Sequence, residues 1–284
     1  MKQNNPSLTA YKVAMMRAVH QVLDIPKVFD DPIALSIIGT QGASDIRAKS
    51  RKFKTKLHTY LRAIVVARSR FVEDELAVAI KRGVRQYVIL GAGLDTFACR
   101  NPYSVKDLRV FEVDHPATQQ WKCQQLDAID IRKPETLAFV PIDFESQSLV
   151  DELLKAGFRT EEPTLFSCLG VTMYLIRETM MATMEQISSS TPSGSEIVFD
   201  YVVPPSSQNL LRRLVFRMLS NKVGKTGESW KSFFDPVSLV MDLKAIGFTQ
   251  VEDIGPEEIN ALFFKGRADN LMVGNFGRLM KAQV

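Results

Sequence analysis

VILGAGLDTFACR (88–100), followed after a polar gap by VFEVDHPATQQWK (110–122), is the stretch on which the fold turns. Each segment is an apolar run, then a turn bearing glycine or acid, then a helix signal. Runs that are apolar at nearly every position suit strands buried on both faces, the condition of a parallel sheet covered by helices. Gly91 and Gly93 permit a tight turn and let backbone approach a ligand, and the helix that follows offers unpaired N–H groups. A lone GxG also occurs in turns for steric reasons, but its place straight after an apolar strand points to a nucleotide-type ligand. The dinucleotide fingerprint needs a third glycine at position 96, where this chain has Thr96, and that counts against a nicotinamide cofactor. Asp114 ends the second run, where a carboxylate can accept hydrogen bonds from both ribose hydroxyls. Its plainer role is to cap the helix that starts near Pro116, and the two are compatible.

Outward from this pair, further strand candidates are 137–142, 164–168 and 196–202, with weaker ones at 248–254 and 276–284. Together with 86–90 and 108–113 they predict an open α/β sheet of about seven strands flanked by helices. Such sheets bind ligands outside the carboxyl ends of their strands, where strand order reverses. Two segments stand outside the alternation. Residues 1–59 read as helices broken at 24–26 and 31–32, and 204–235 as a basic helix and glycine-containing loop between strands five and six. Both are candidate covers for the carboxyl edge. No internal repeat or Gly/Ser linker interrupts the chain, so residues 1–284 read as one domain with an N-terminal helical cover and a lid insertion.

The 45% hydrophobic and 24% charged residues exclude disorder and small disulfide scaffolds. No apolar run reaches the roughly 18 residues a transmembrane helix requires. MKQNNPSLTAYKVAMMRAVH (1–20) lacks the apolar centre and cleavage site of a signal peptide. Cys99, Cys123 and Cys168 are an odd number without CxxC spacing, and His20, His58 and His115 form no HExxH pattern. Neither a disulfide framework nor a protein-built metal site is expected, and a reducing, cytoplasmic setting fits. The net charge of +4 conceals an asymmetry: residues 1–70 hold 13 basic and 4 acidic residues, and the remainder 23 and 28. Such an imbalance suits nucleic acid, a membrane surface or an anionic substrate. The run RAKSRKFKTK (47–56) includes Phe53 but belongs to no RNA-binding module, so nucleic acid is not an expected partner.

Over 60–82, Leu61, Ile64, Val65, Phe71, Val72, Leu76 and Ala79 form one helical stripe, with Arg68 near its centre. A buried guanidinium requires a carboxylate. Glu75, two turns on, could supply it internally, or Arg68 could grip a ligand carboxylate with its planar fork; periodicity does not separate the two. Beyond the third strand, Asp143 could meet an adenine amino group and Phe144 stack on the base, although the same dipeptide serves as an ordinary loop cap.

RAVHQVLDIPKVFDDPIAL (17–35), ARSRFVED (67–74), VILGAGLDTFACR (88–100), VFEVDHPATQQWK (110–122), VPIDFE (140–145), GVTMYL (170–175), SEIVFDYV (195–202) and FFKGRADNL with FGRLMKAQV (263–284) occur in this order. The set resembles the leucine carboxyl methyltransferase family of class I S-adenosylmethionine (SAM)-dependent methyltransferases, above all its bacterial branch with polyketide carboxyl O-methyltransferases. The resemblance spans nearly the whole chain and implies a Rossmann-like seven-stranded sheet with SAM as cofactor. It implies that Arg68 binds the methionine carboxylate, Gly91 and Gly93 line the methionine and ribose, Asp114 holds the ribose hydroxyls, and Asp143 and Phe144 address adenine. One departure stands out. The family usually places Glu before the GVTMYL segment, contacting the SAM amino group, whereas this chain has Leu169, which accepts no hydrogen bond.

A carboxylate acceptor is ionised at neutral pH and needs no base, so alignment and exclusion of water suffice. The expected reaction is methyl ester formation on a small-molecule carboxylate or another anionic acceptor. A hydroxyl acceptor, a protein C-terminal carboxylate, and SAM binding with lost catalysis are the alternatives. Candidate acceptor-side residues are Arg17, His20, Tyr174, Tyr201, Arg212 and Arg213, with Tyr201 foremost because it stands at the far end of the fifth strand, next to the expected methyl donor. The basic cover is expected to draw an anionic acceptor toward the methyl donor.

Overall fold

The computed structural model describes residues 7–103, 108–144, 146–204 and 229–284. At its centre β1 (Gln86–Leu90) pairs in parallel with β2 (Arg109–Asp114) on one side and β4 (Thr164–Cys168) on the other. β3 (Leu137–Pro141) continues beyond β2, and β5 (Glu196–Val202) beyond β4, both parallel. β6 (Gln250–Ile254) and β7 (Gly277–Gln283) close the other side, β7 lying antiparallel between β5 and β6. The order is β3-β2-β1-β4-β5-β7-β6, so the strand order reverses between β1 and β4, beside the glycine turn. All seven expected strands are present, with ends within two residues of the sequence reading.

Each buried strand sends alternate side chains to opposite faces, and the core divides accordingly. Tyr87, Ile89, Leu165 and Val198 face α5 (Lys56–Lys81), whose Ala63, Val66, Ala67, Val72, Leu76 and Ala79 cover that side. Val88, Leu90, Phe166, Ile197, Phe199 and Tyr201 face the other layer, built from α8 (Leu149–Lys155), α9 (Arg177–Ser190) and α10 (Pro236–Ala245). α6 (Phe97–Arg100) follows the glycine turn, α7 (Pro116–Ala128) follows β2, and α11 (Pro256–Phe263) follows β6.

The N-terminal segment forms α1 (Leu8–Leu23), α2 (Ala34–Ile37), α3 (Gly39–Ala48) and α4 (Ser50–Phe53). α1 stops where the sequence breaks at Asp24, before the cis Ile25–Pro26 bond. Its inner face joins Ala14, Ala18 and Val19 to Ile37, Ile46, Leu94 and Leu126, a third core that fastens the cover to the turn after β1 and to α7. Phe53 in the basic run is buried while Arg47, Lys49, Arg51, Lys52, Lys54 and Lys56 are exposed, so the run is short helix with a solvated charged face. Most of the expected lid at 204–235, with Arg212 and Arg213, lies outside the described residues.

Candidate active site

Gly91 leaves β1 at φ +67, and a Cβ there would overlap Val171 Cγ2. The turn after β1 is thereby packed directly against the segment after β4. The Gly93 N–H donates to Asp114 Oδ2 at 2.6 Å, while Asp114 Oδ1 accepts from the His115 N–H at 2.6 Å. Two backbone donors hold the half-buried carboxylate in place, yet desolvation is the larger influence and raises its pKa. Each oxygen keeps a further lone pair for a ligand hydroxyl. The helix-cap alternative for Asp114 is not what forms: His115 caps α7, its Nδ1 accepting from the Ala117 N–H at 3.2 Å.

Arg68 is 5% exposed, and its carboxylate partner is Asp200, with Nη1 to Oδ2 at 2.6 Å. Glu75, the internal partner that the helix offered, instead binds Lys281 of β7, because the helical turn carries it toward the sheet's other end. Asp200 Oδ1 accepts from the Gly170 N–H at 2.5 Å. Gly170 itself has φ +75, and a Cβ there would fall 2.6 Å from Arg68 Nη2. Leu169 packs, partly buried, against the core on the α5 side of the sheet. Asp200 escaped the sequence reading although it is a carboxylate set within the otherwise apolar run IVFDYV (197–202), and that setting was the available signal.

Three expected acceptor-side residues prove to be interior fasteners. His20 is fully buried, with Nδ1 2.8 Å from Asp24 Oδ2 and Nε2 accepting from the Val28 and Phe29 N–H groups. With Nε2 an acceptor, the ring proton lies on Nδ1 and no lone pair is left for an acceptor molecule. Tyr201 is also fully buried, its hydroxyl donating to Asp253 Oδ1 at 2.7 Å. It lies one residue from Asp200, so strand alternation turns it to the opposite face. Burial and the Asp253 carboxylate push its phenol well above the usual range. Arg17 is likewise committed inward, to Asp95 Oδ2 at 2.9 Å and to the Leu94 carbonyl, clamping α1 on the glycine turn. Burial opposes ionisation of Asp95, but Arg17, Lys122 and Arg100 outweigh it and hold the carboxyl below its usual range.

Tyr174 remains at the carboxyl edge, in a 3-10 turn (Thr172–Tyr174), its hydroxyl accepting from Trp230 Nε1 at 3.4 Å. With Met173, Val202, Phe233 and Phe276 these rings form a separate apolar cluster beyond β5. The sequence reading missed Trp230, Phe233 and Phe276, since three scattered aromatics carry no common spacing. Asp143 is exposed past β3, its N–H donating to Gln147 Oε1. Phe144 packs on the α8–α9 layer and lines a groove of about 280 Å³ with Gln147, Glu178 and Thr179. Among the described residues no group of three or more His, Cys, Asp or Glu side chains is arranged to hold a metal ion, and no helix is long and apolar enough to cross a membrane.

The site is thus a glycine turn at the switch point with a fixed carboxylate at the end of β2. The leucine carboxyl methyltransferase family model matches residues 10–188. The chain belongs to the leucine carboxyl methyltransferase family. As such it is a SAM-dependent methyltransferase. One curated relative is "Putative S-adenosyl-L-methionine-dependent methyltransferase YktD" of Bacillus subtilis (strain 168), 35% identical over 95% of both chains. A similarly described protein of Mycolicibacterium paratuberculosis is 30% identical over 68% of this chain and 65% of its own. A crystal structure titled as a putative methyltransferase of Thermobifida fusca YX shares the fold at TM-score 0.59 and 15% identity, over 98% of this chain and 95% of that one. A Streptomyces avermitilis MA-4680 structure of the duf574 family gives TM-score 0.57 and 13% identity over 96% of both chains. In this methyltransferase the sequence expectations for family, fold class and cofactor therefore hold.

Proposed function

We propose that this methyltransferase forms a methyl ester on a small-molecule carboxylate. The carrying observation is that His20 and Tyr201, both candidates for the acceptor side, are sealed in the interior with their polar atoms engaged. His115 likewise spends Nδ1 on its helix cap. An acceptor that arrives already ionised suits this arrangement, because the chain then has only to bind, align and exclude water. Bound SAM supplies an electrophilic methyl group on its sulfonium.

Arg68 presents its remaining guanidinium N–H groups to the cofactor carboxylate, Gly91 and Gly93 bring backbone close to the methionine and ribose, and Asp114 receives the ribose hydroxyls. Asp143 and Phe144 stand past the end of β3 to address adenine. The aromatic cluster of Tyr174, Trp230, Phe233 and Phe276 forms an apolar wall on the acceptor side. Such a wall shields the reacting carboxylate from water and favours an acceptor with an apolar body.

Transfer of label from methyl-tritiated SAM to a panel of hydrophobic carboxylic acids tests this reading. The expected product releases labelled methanol in mild base, the mark of an ester. A base-stable product would instead assign an ether and hydroxyl methylation.

A further inference from the structure

We propose that Asp200 supplies, from β5, the acidic group of the cofactor's amino-acid site: it fixes the Arg68 guanidinium and accepts a hydrogen bond from the α-ammonium of the SAM methionine moiety. The inference rests on Arg68 being the residue that holds the cofactor carboxylate.

β4 and β5 run parallel with Cys168 opposite Phe199, so one step further along Leu169 stands beside Asp200. Alternation sends both side chains to the α5 face, since Leu165 and Val198 already lie there. A carboxylate is therefore delivered from the neighbouring strand at the level where Leu169 has none to offer. Asp200 is 3% exposed inside a strand buried along its whole length. A charge so placed is costly unless paired, and it is paired on both oxygens, to Arg68 Nη1 and to the Gly170 N–H. The glycine at 170, with φ +75 and no room for a Cβ beside the guanidinium, lets Arg68 approach this closely. Val171 then lies against Gly91, which brings the Arg68–Asp200 pair alongside the glycine turn.

The pair is neutral overall but has a positive and a negative end. An α-amino acid group is the complementary zwitterion: its carboxylate suits Arg68, and its ammonium suits the second lone pair of an Asp200 oxygen. A purely structural partner for Arg68 would make no distinction between ligands with and without the ammonium.

Calorimetry with S-adenosylhomocysteine and with its deaminated analogue, which keeps the carboxylate and lacks the amine, makes that distinction. The wild-type protein is expected to bind S-adenosylhomocysteine at least about tenfold more tightly than the analogue. In Asp200→Asn the ratio should fall toward one. Equal binding of both ligands by the wild type, which needs no variant to fold, overturns the proposal and leaves the role of Arg68 standing. A ratio that survives intact in a folded Asp200→Asn protein also overturns it. No binding of S-adenosylhomocysteine at all would remove the cofactor-site reading and this proposal with it.

Discussion

Gly170 shows how much a single missing Cβ carries. Its φ of +75 lies in the left-handed region, and an added methyl would press on Arg68 Nη2 at 2.6 Å. Gly170→Ala should therefore cost about 1–3 kcal/mol of stability from strained backbone and displaced guanidinium. It should also weaken S-adenosylhomocysteine binding, because Arg68 must move; urea unfolding and calorimetry on the same sample check both. Wild-type affinity in a destabilised variant would detach Arg68 from the cofactor. At this scale the sequence was informative about residue type and poor on partners. Arg68 stood out as a charge in an apolar stripe, but nothing in helical spacing separates Glu75 from Asp200 as its mate. Asp200 lies far along the chain and reaches Arg68 only through the pairing of β5 with β4.

Among elements, the N-terminal cover is fastened by buried charge. Asp24, just past α1, accepts from Arg62 Nε at 2.6 Å and Nη2 at 2.9 Å and contacts His20 Nδ1 at 2.8 Å. Burial raises the Asp24 carboxyl, but the His20 and Arg62 hydrogen bonds together outweigh it and leave the pKa below its usual value. A carboxyl lowered on folding contributes stability that is fully present above its unfolded pKa and is lost as pH falls through the folded value. Asp24→Asn should thus cost about 3 kcal/mol at neutral pH by leaving the Arg62 guanidinium without its charge partner. The same variant should show a shallower loss of stability than wild type between about pH 5 and about pH 2. Denaturant midpoints across that range decide it; parallel curves would mean that Asp24 stays protonated or unpaired. The sequence marked the break at 24–26 as a helix end, and it is also the anchor of the cover.

On the scale of the whole molecule, the charge imbalance resolves into two populations. Arg17, Arg62 and Arg68 are buried and bound to Asp95, Asp24 and Asp200, whereas the basic side chains of 47–56 face solvent. The exposed set is free to act at a distance, and the interior set is not. If the acceptor is anionic, replacing Lys49, Lys52, Lys54 and Lys56 with glutamine should raise KM severalfold at low salt, with kcat little changed. The difference should vanish by about 0.5 M salt, where screening is nearly complete. A KM that ignores both charge and salt would limit functional charge to the interior arginines.

Strand positions, the glycine turn and the family were all legible in the one-dimensional chain, because hydrophobic period and turn chemistry are local properties. Which face a residue occupies and which charge it meets are not local. Tyr201 looked like an edge residue until alternation and Asp253 placed it inside, and His20 became a fastener once the loop at 28–29 folded back on it. Pairing of β4 with β5 set Asp200 beside Leu169 and against Arg68. Only the assembled sheet makes that choice, since the desolvation of a buried charge is decided by neighbours that the chain brings together from distant positions.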